Sequence, residues 1–450
     1  MAARKLILIV IDGLRADTFE QAVTPERTPW LARLAELGDY RRGISTFPSL
    51  TPVCLSSIAT GAHADVHHIP HLVWYSREEQ RLVEYGSSFG AIRKAGVTQS
   101  LRDSLVEMNA RHLSKGARTI FETLESAGLV TASVNFTCYR GETRYRSTVP
   151  GLASPVEGPK QFFFYSIFQS QDTGAPLAWR NRNAGSIDAY ATGVGRWLVT
   201  RDGFDFFVYY LSDYDYASHT SGPDGALDAL ESCDRGIGTL VEAAGGLDAF
   251  LERYGVIVCA DHGQTAVGEA VALEPLFPEK ELLVTASNRA GMVYRLGSGT
   301  PEVDELARRL DEVASVEVAL YRDGAEAVAR RAGAELRFRP DGAGGFVTHG
   351  DTQVLDYHQG LVRAWAALAN PNAGELIVSA AEGLEFADLA GGSHAGGGSH
   401  GSLVAGDSEV PILGVGAGPL PDSITGLAPL IARSFGVEPP DYAAAPARAA

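Results

Sequence analysis

Short apolar runs rich in Val, Ile and Phe punctuate this chain, and between them lie stretches in which apolar residues recur every three or four positions. Unbroken short runs mark strands buried on both faces, and the 3.6-residue spacing marks helices lying over them. The strands expected on this ground are Lys5 to Ile11, Val130 to Asn135, Asp205 to Leu211, Gly255 to Ala260 and Val410 to Val415. The expected helices are Pro25 to Leu37, Ala117 to Ala127, Ser186 to Thr200, Ala226 to Ala244 and Ser423 to Phe435. Strands alternating with helices place the chain in the α/β class, with a mostly parallel sheet covered on both faces.

The texture changes between about Glu281 and Asn370. Short strand-like pieces, Glu281 to Ala286 and Gly291 to Leu296, surround a helical stretch at Val303 to Val313, followed by Val316 to Tyr321. The expectation is a core formed by residues 1–280 and 371–437, resuming near Glu375, with a cap-like α+β insertion at 281–370. The tail, 438–450, is low in complexity and expected to fray.

Composition narrows the function classes. Hydrophobic residues at 45% and charged residues at 21% belong to a compact globular chain. A net charge of -17 repels polyanions, which argues against a nucleic-acid polymer as partner. Cys54, Cys138, Cys233 and Cys259 are scattered without a C-x-x-C pair and read as small buried hydrophobes. The run Leu6 to Ile11 is too short to cross a membrane, and no stretch approaches the roughly 20 apolar residues a span requires. A cytoplasmic protein with no membrane partner is the expectation.

In open parallel sheets, reactive groups gather at the carboxyl ends of strands. Asp12 ends the first strand and is followed by Gly13; Asp213 and Asp215 follow Phe207 to Leu211; Asp261 and His262 follow Val256 to Ala260. A carboxylate there is costly unless it is paired or holds a metal, so its recurrence on separate strands is informative. Asp215 and His219 are four residues apart and share one side of a helical turn. Gly263 lets the chain turn so that Asp261 and His262 both point inward. Mixed carboxylate and imidazole ligation suits zinc.

A nucleophile candidate stands in Ser49-Leu-Thr51-Pro52-Val-Cys-Leu-Ser-Ser-Ile-Ala-Thr60-Gly61. Thr51 is expected as the N-cap of a helix that starts at Pro52 and stops at Gly61, where free amides would meet a phosphate. The bland alternative for Thr51 is a simple cap, and for Asp12-Gly13 a strand-to-turn junction.

Together these motifs, with Ser399-His400-Gly401, resemble the alkaline phosphatase superfamily and most closely its type I phosphodiesterase and nucleotide pyrophosphatase branch. The resemblance covers roughly residues 5 to 275 and 375 to 437. It implies a three-layer sandwich and a two-zinc hydrolase of phosphodiesters or nucleotide pyrophosphates, acting on small molecules through a phospho-threonine. By it, Asp215, His219 and His400 would hold one zinc, and Asp12, Asp261 and His262 the other, with Thr51 bridging toward both. Thr46 rivals Thr51, but the nine-residue interval to Thr60-Gly61 favours Thr51. His394, in a near duplicate of the His400 motif, rivals His400. Cys54 is followed by Leu-Ser-Ser rather than the C-x-P-x-R of a sulfatase. Phosphomonoesterase or phosphonate hydrolase activity in the same superfamily is the nearest alternative, and a silent binding protein retaining the fold is the second.

Overall fold

The first apolar run becomes the central strand of an eight-stranded sheet. The computed structural model describes residues 5–148, 155–165, 167–169 and 186–444. From edge to edge the strands are Asp39–Ile44, Glu409–Val415, Tyr254–Cys259, Lys5–Ile11, Phe206–Leu211, Thr131–Val134, Gln161–Phe164 and Phe168–Gln169. The inner five run parallel. Both edges turn antiparallel, and Glu409–Val415 is the reversed neighbour of Tyr254–Cys259. The sequence pattern revealed Val410 to Val415 as a strand but carries no information on its direction.

Register decides where the chemistry goes. Ile11 sits opposite Leu211, and Val10 opposite Cys259. Three strands therefore end level, and the residues that follow them, Asp12, Ser212 to Asp215 and Asp261, emerge along one rim.

Two groups of helices flank the sheet. Pro29–Leu37, Ile187–Arg201 and Leu227–Ala243 pack on one another, as do Thr51–Thr60, Ile120–Ser126 and Leu427–Ser434. Leu227–Ala243 buries Leu230, Cys233, Ile237, Leu240 and Val241, one stripe at helical spacing. Its Asp234 also accepts the N–H groups of Leu31 (2.7 Å) and Trp30 (3.4 Å), satisfying donors that the start of the neighbouring helix leaves free.

The second unit differs from expectation. It is a seven-stranded antiparallel sheet in the order Leu282–Ser287, Ala290–Arg295, Leu376–Ala380, Val316–Asp323, Glu326–Arg331, Ala334–Pro340 and Phe346–Gly350. Leu376–Ala380, read from the sequence as the resumed core, is its third strand. A short apolar run has the same appearance in either sheet, and only its pairing partners assign it. The expected Val303 to Val313 helix is shorter, Val303–Arg308. Along this sheet the side chains alternate: Ala290, Met292, Tyr294 and Leu320 join the main core, while Val293, Ala319, Tyr321 and Val378 join a satellite core with Leu306 and Ala307 of that helix. Burial on both faces fuses the sheet to the rest of the molecule.

The tail is held as far as 444. Asp441–Ala444 forms a helical turn, and the Tyr442 hydroxyl accepts the Arg118 N–H at 2.7 Å and donates to the Arg118 carbonyl at 3.0 Å. The remainder of the expected frayed segment lies outside the described residues.

Candidate metal centre

At the level strand ends, Asp12, Asp215, Asp261, His262 and His400 are all buried, with exposures of 7% or less. Gly13 of the first motif packs tightly against two of these acids. Gly13 adopts φ +75° and donates its N–H to Asp261 Oδ1 at 3.3 Å. A Cβ there would stand 2.8 Å from Asp215 Oδ1, so only glycine lets the first strand end this close to the helix that carries Asp215. That helix, Asp213–Ser221, places Asp215 and His219 one turn apart, with His219 Nε2 3.3 Å from Asp215 Oδ2.

The three histidines share one orientation. Nδ1 of His262 donates to Gly263 O (3.1 Å), Nδ1 of His400 to Ser49 O (2.8 Å) and Nδ1 of His219 to Gly398 O (2.8 Å). A carbonyl only accepts, so each Nδ1 carries a proton and each Nε2 keeps a lone pair able to bind a cation. His262 Nε2 lies 3.3 Å from Asp12 Oδ1, 3.4 Å from Asp261 Oδ2 and 3.0 Å from Thr51 Oγ1.

Two donor sets are drawn together within 4.8 Å: Asp12, Asp261 and His262, and Asp215, His262 and His400. The first is the set the resemblance implies. In the second, His262 stands where His219 was expected; the His262 and His400 rings stack at 3.7 Å, and His219 reaches the group through Asp215.

The electrostatics suit cations. Burial, then the charges of Asp261 and Asp215, hold the Asp12 carboxyl well above the usual carboxylate range. Asp261 is also raised, chiefly by burial. Burial pushes Asp215 the same way, yet the adjacent His219 and the other imidazoles bring it down, while Asp215 overcomes the burial of His219 and raises it. Burial and the neighbouring His262 depress His400. Asp12 Oδ1 and Asp261 Oδ2 are buried with no hydrogen-bond partner among the described residues. Acceptors without donors, crowded carboxylates and inward Nε2 atoms fit divalent cations.

Thr51 stands at the first helical position rather than at the cap; Leu50 is the N-cap, and Gly61 ends the helix at φ +72°. The helix start also offers an anion less than expected. Pro52 has no N–H, and the N–H groups of Val53 and Cys54 both donate to Leu50 O at 2.9 Å. Thr51 instead presents its hydroxyl to His262. Thr46 is fully buried against His63, 3.0 Å from Nδ1, and does not line the cavity that Thr51 does. His394 stands at the cavity wall, stacked on His219 at 4.0 Å, with Nδ1 3.2 Å from Glu385 Oε2.

Three residues escape the sequence reading. The Tyr210 hydroxyl donates to Asp12 Oδ2, and Gln264 Nε2 donates to the Asp215 carboxylate. Gln264 directly follows a recognised motif and was open to detection. Asn288, in the turn between two strands of the second sheet, brings Nδ2 within 2.9 Å of His400 Nε2, and its sequence surroundings give no hint of this.

The level strand ends and the flanking helices define an α/β fold with a mostly parallel central sheet, with the candidate centre at the rim. The profile of the type I phosphodiesterase/nucleotide pyrophosphatase family matches residues 6–403, and the chain belongs to that family. Human ectonucleotide pyrophosphatase/phosphodiesterase family member 7 is 23% identical over 270 residues, 58% of this chain and 48% of that protein. The chain thus spans about half the length of the curated relatives it matches. Phosphonoacetate hydrolase from Sinorhizobium meliloti 1021, in complex with phosphonoformate, superposes with a TM-score of 0.64 at 17% identity, covering 97% of this chain and 96% of that one. A murine ectonucleotide pyrophosphatase/phosphodiesterase 5 in complex with AMP gives 0.63 at 14%, with the same coverage.

Proposed function

We propose that this chain hydrolyses phosphodiesters or nucleotide pyrophosphate bonds at a two-zinc centre, with Thr51 as nucleophile. The observation that carries the reading is the Thr51 hydroxyl, 3.0 Å from His262 Nε2 on the wall of a cavity of about 440 Å³ that also opens on Asp12, Asp215, His219 and His400. Asp12, Asp261 and His262 would hold one ion, and Asp215, His219 and His400 the other. When bound, the ions would supply Lewis acidity to the Thr51 hydroxyl and to the phosphoryl oxygens.

The remaining work falls to the chain. Thr51 Oγ1 gives up its proton to solvent and bonds to phosphorus, the opposite P–O ester bond breaks, and the leaving alkoxide takes a proton from solvent. Water then attacks the phospho-threonine and frees the hydroxyl. Tyr210 and Gln264 hold Asp12 and Asp215 in place, and Leu72, Tyr85, Leu105, Phe164 and Tyr165 form apolar and aromatic walls suited to an organic ester group. The second sheet acts as part of the cap through the turn at Asn288. No helix among the described residues is long and apolar enough to cross a membrane, and the four cysteines are unpaired and buried; a cytoplasmic site of action belongs to this reading.

The test pairs metal analysis with turnover. About two zinc ions per chain, and an aryl phosphodiester cleaved faster than the matching monoester, support the reading. Thr51→Ala should abolish turnover and Thr46→Ala should not. A folded, metal-free chain, or full activity in Thr51→Ala, would overturn it. Preference for a monoester or a phosphonate would shift the assignment to the neighbouring activity, of which the phosphonoacetate hydrolase is the example.

A further inference from the structure

We infer that Asn288 is a catalytic residue, the amide donor to a non-bridging oxygen of the transferring phosphoryl group; this rests on the phosphoryl-transfer reading of the same site. Asn288 belongs to the second sheet, yet its side chain lines the cavity shared by Thr51, Asp12 and His400. It is 4% exposed. Its backbone is pinned, for Phe386 donates to its carbonyl at 2.7 Å and the residue sits at φ +57°, a left-handed turn conformation that asparagine tolerates. Its Oδ1 accepts the Ser287 hydroxyl at 3.0 Å, which directs Nδ2 toward the cavity side and His400 Nε2 at 2.9 Å.

The chemistry of that contact carries the argument. His400 Nδ1 is committed to Ser49 O, so Nε2 has only its lone pair to offer. One lone pair cannot both accept from Asn288 and bind a cation. If His400 serves as a ligand, the Asn288 amide is left as a buried donor without an acceptor, on the wall of the cavity that Thr51 also lines. A buried donor in that condition is costly until a ligand supplies an acceptor. The start of the Thr51 helix offers few such donors, because Pro52 has no N–H and those of Val53 and Cys54 both bond to Leu50 O. A neutral amide stabilises charge that develops on oxygen without adding a cation of its own. Loss of a single preorganised donor of this kind lowers turnover about 100-fold to 1,000-fold.

The experiment compares wild type, Asn288→Ala and the near-isosteric Asn288→Leu. Expected is a fall of about 100-fold in kcat/KM for an aryl phosphodiester in both variants, with zinc content unchanged. Inorganic phosphate, titrated calorimetrically into the zinc-loaded proteins, should bind about tenfold more weakly to the variants. Turnover within twofold of wild type, or equal phosphate affinity, overturns the inference. Loss of zinc from both variants also overturns it, because Asn288 would then position His400 rather than touch substrate. If wild type cleaves no diester but binds phosphate more tightly than the variants, the donor role stands and the diesterase reading fails.

Discussion

Asp407 is the side chain on which the site's scaffolding converges, and its removal gives the sharpest structural test. Its carboxylate pairs with Arg289 Nε at 2.8 Å, both side chains being fully buried. It also accepts the Ser402 N–H (2.9 Å), the Ser402 hydroxyl (2.6 Å) and the Thr265 hydroxyl. Through these bonds it ties together the loop after His262, the loop after His400 and the turn that carries Asn288. Asp407→Ala leaves the Arg289 guanidinium buried without its counter-ion, with only Leu384 O and the Ser402 hydroxyl as partners. Breaking a buried pair from one side costs about 3–5 kcal/mol. Urea unfolding of the metal-free protein, followed by tryptophan fluorescence, should show a loss of that size. The double variant Arg289→Met/Asp407→Leu removes both charges and should recover most of it. Zinc affinity of Asp407→Ala should also drop about 10-fold to 100-fold, as when groups that orient ligands are lost. A cost below about 1 kcal/mol in the single variant would refute the reasoning, since the pair would then be solvated rather than buried.

Acid stability follows from two buried histidines. Burial holds His67 at about 3 and His71 at about 4, below the ordinary 6.5, so both are neutral in the native state. Below pH 6.5 the unfolded chain takes up protons that the folded chain refuses; their contribution is complete above that pH and is lost between about 6.5 and 4 for His71 and between about 6.5 and 3 for His67. Each group contributes a slope of about 1.4 kcal/mol per pH unit in that window. His67→Gln should flatten the pH dependence of unfolding of the metal-free protein by that amount, and an unchanged slope between pH 6 and 4.5 would sink the idea. Gly13→Ala is a local test of the metal centre: its methyl would stand 2.8 Å from Asp215 Oδ1, in a backbone conformation alanine resists. The variant should fold, with an unchanged far-ultraviolet spectrum, yet bind fewer than two zinc ions; full zinc occupancy would show that the strand end has room to spare.

Much of the fold is written in local pattern. Lys5–Ile11, Phe206–Leu211 and Tyr254–Cys259 are visible as unbroken apolar runs because a strand covered on both faces has no polar side to interrupt it. The acids just past those runs were legible for the same reason, since buried carboxylates are too costly to occur there without a task. Asp39–Ile44 was not legible: it is an edge strand whose first four residues are exposed, so its Asp-Tyr-Arg-Arg start reads as surface.

What local pattern cannot hold is the choice of partner. The direction of Glu409–Val415, the membership of Leu376–Ala380 in the second sheet and the arrival of Asn288 beside His400 all depend on contacts between residues far apart in the chain. The candidate metal centre is legible in the sequence, because carboxylates and imidazoles at strand ends declare themselves through burial cost and spacing. Its completion belongs to the tertiary structure. Asn288, Arg289 and Asp407 acquire their roles only when a turn of one sheet is pressed against the rim of another, where a buried donor or charge must find a partner across more than 100 residues.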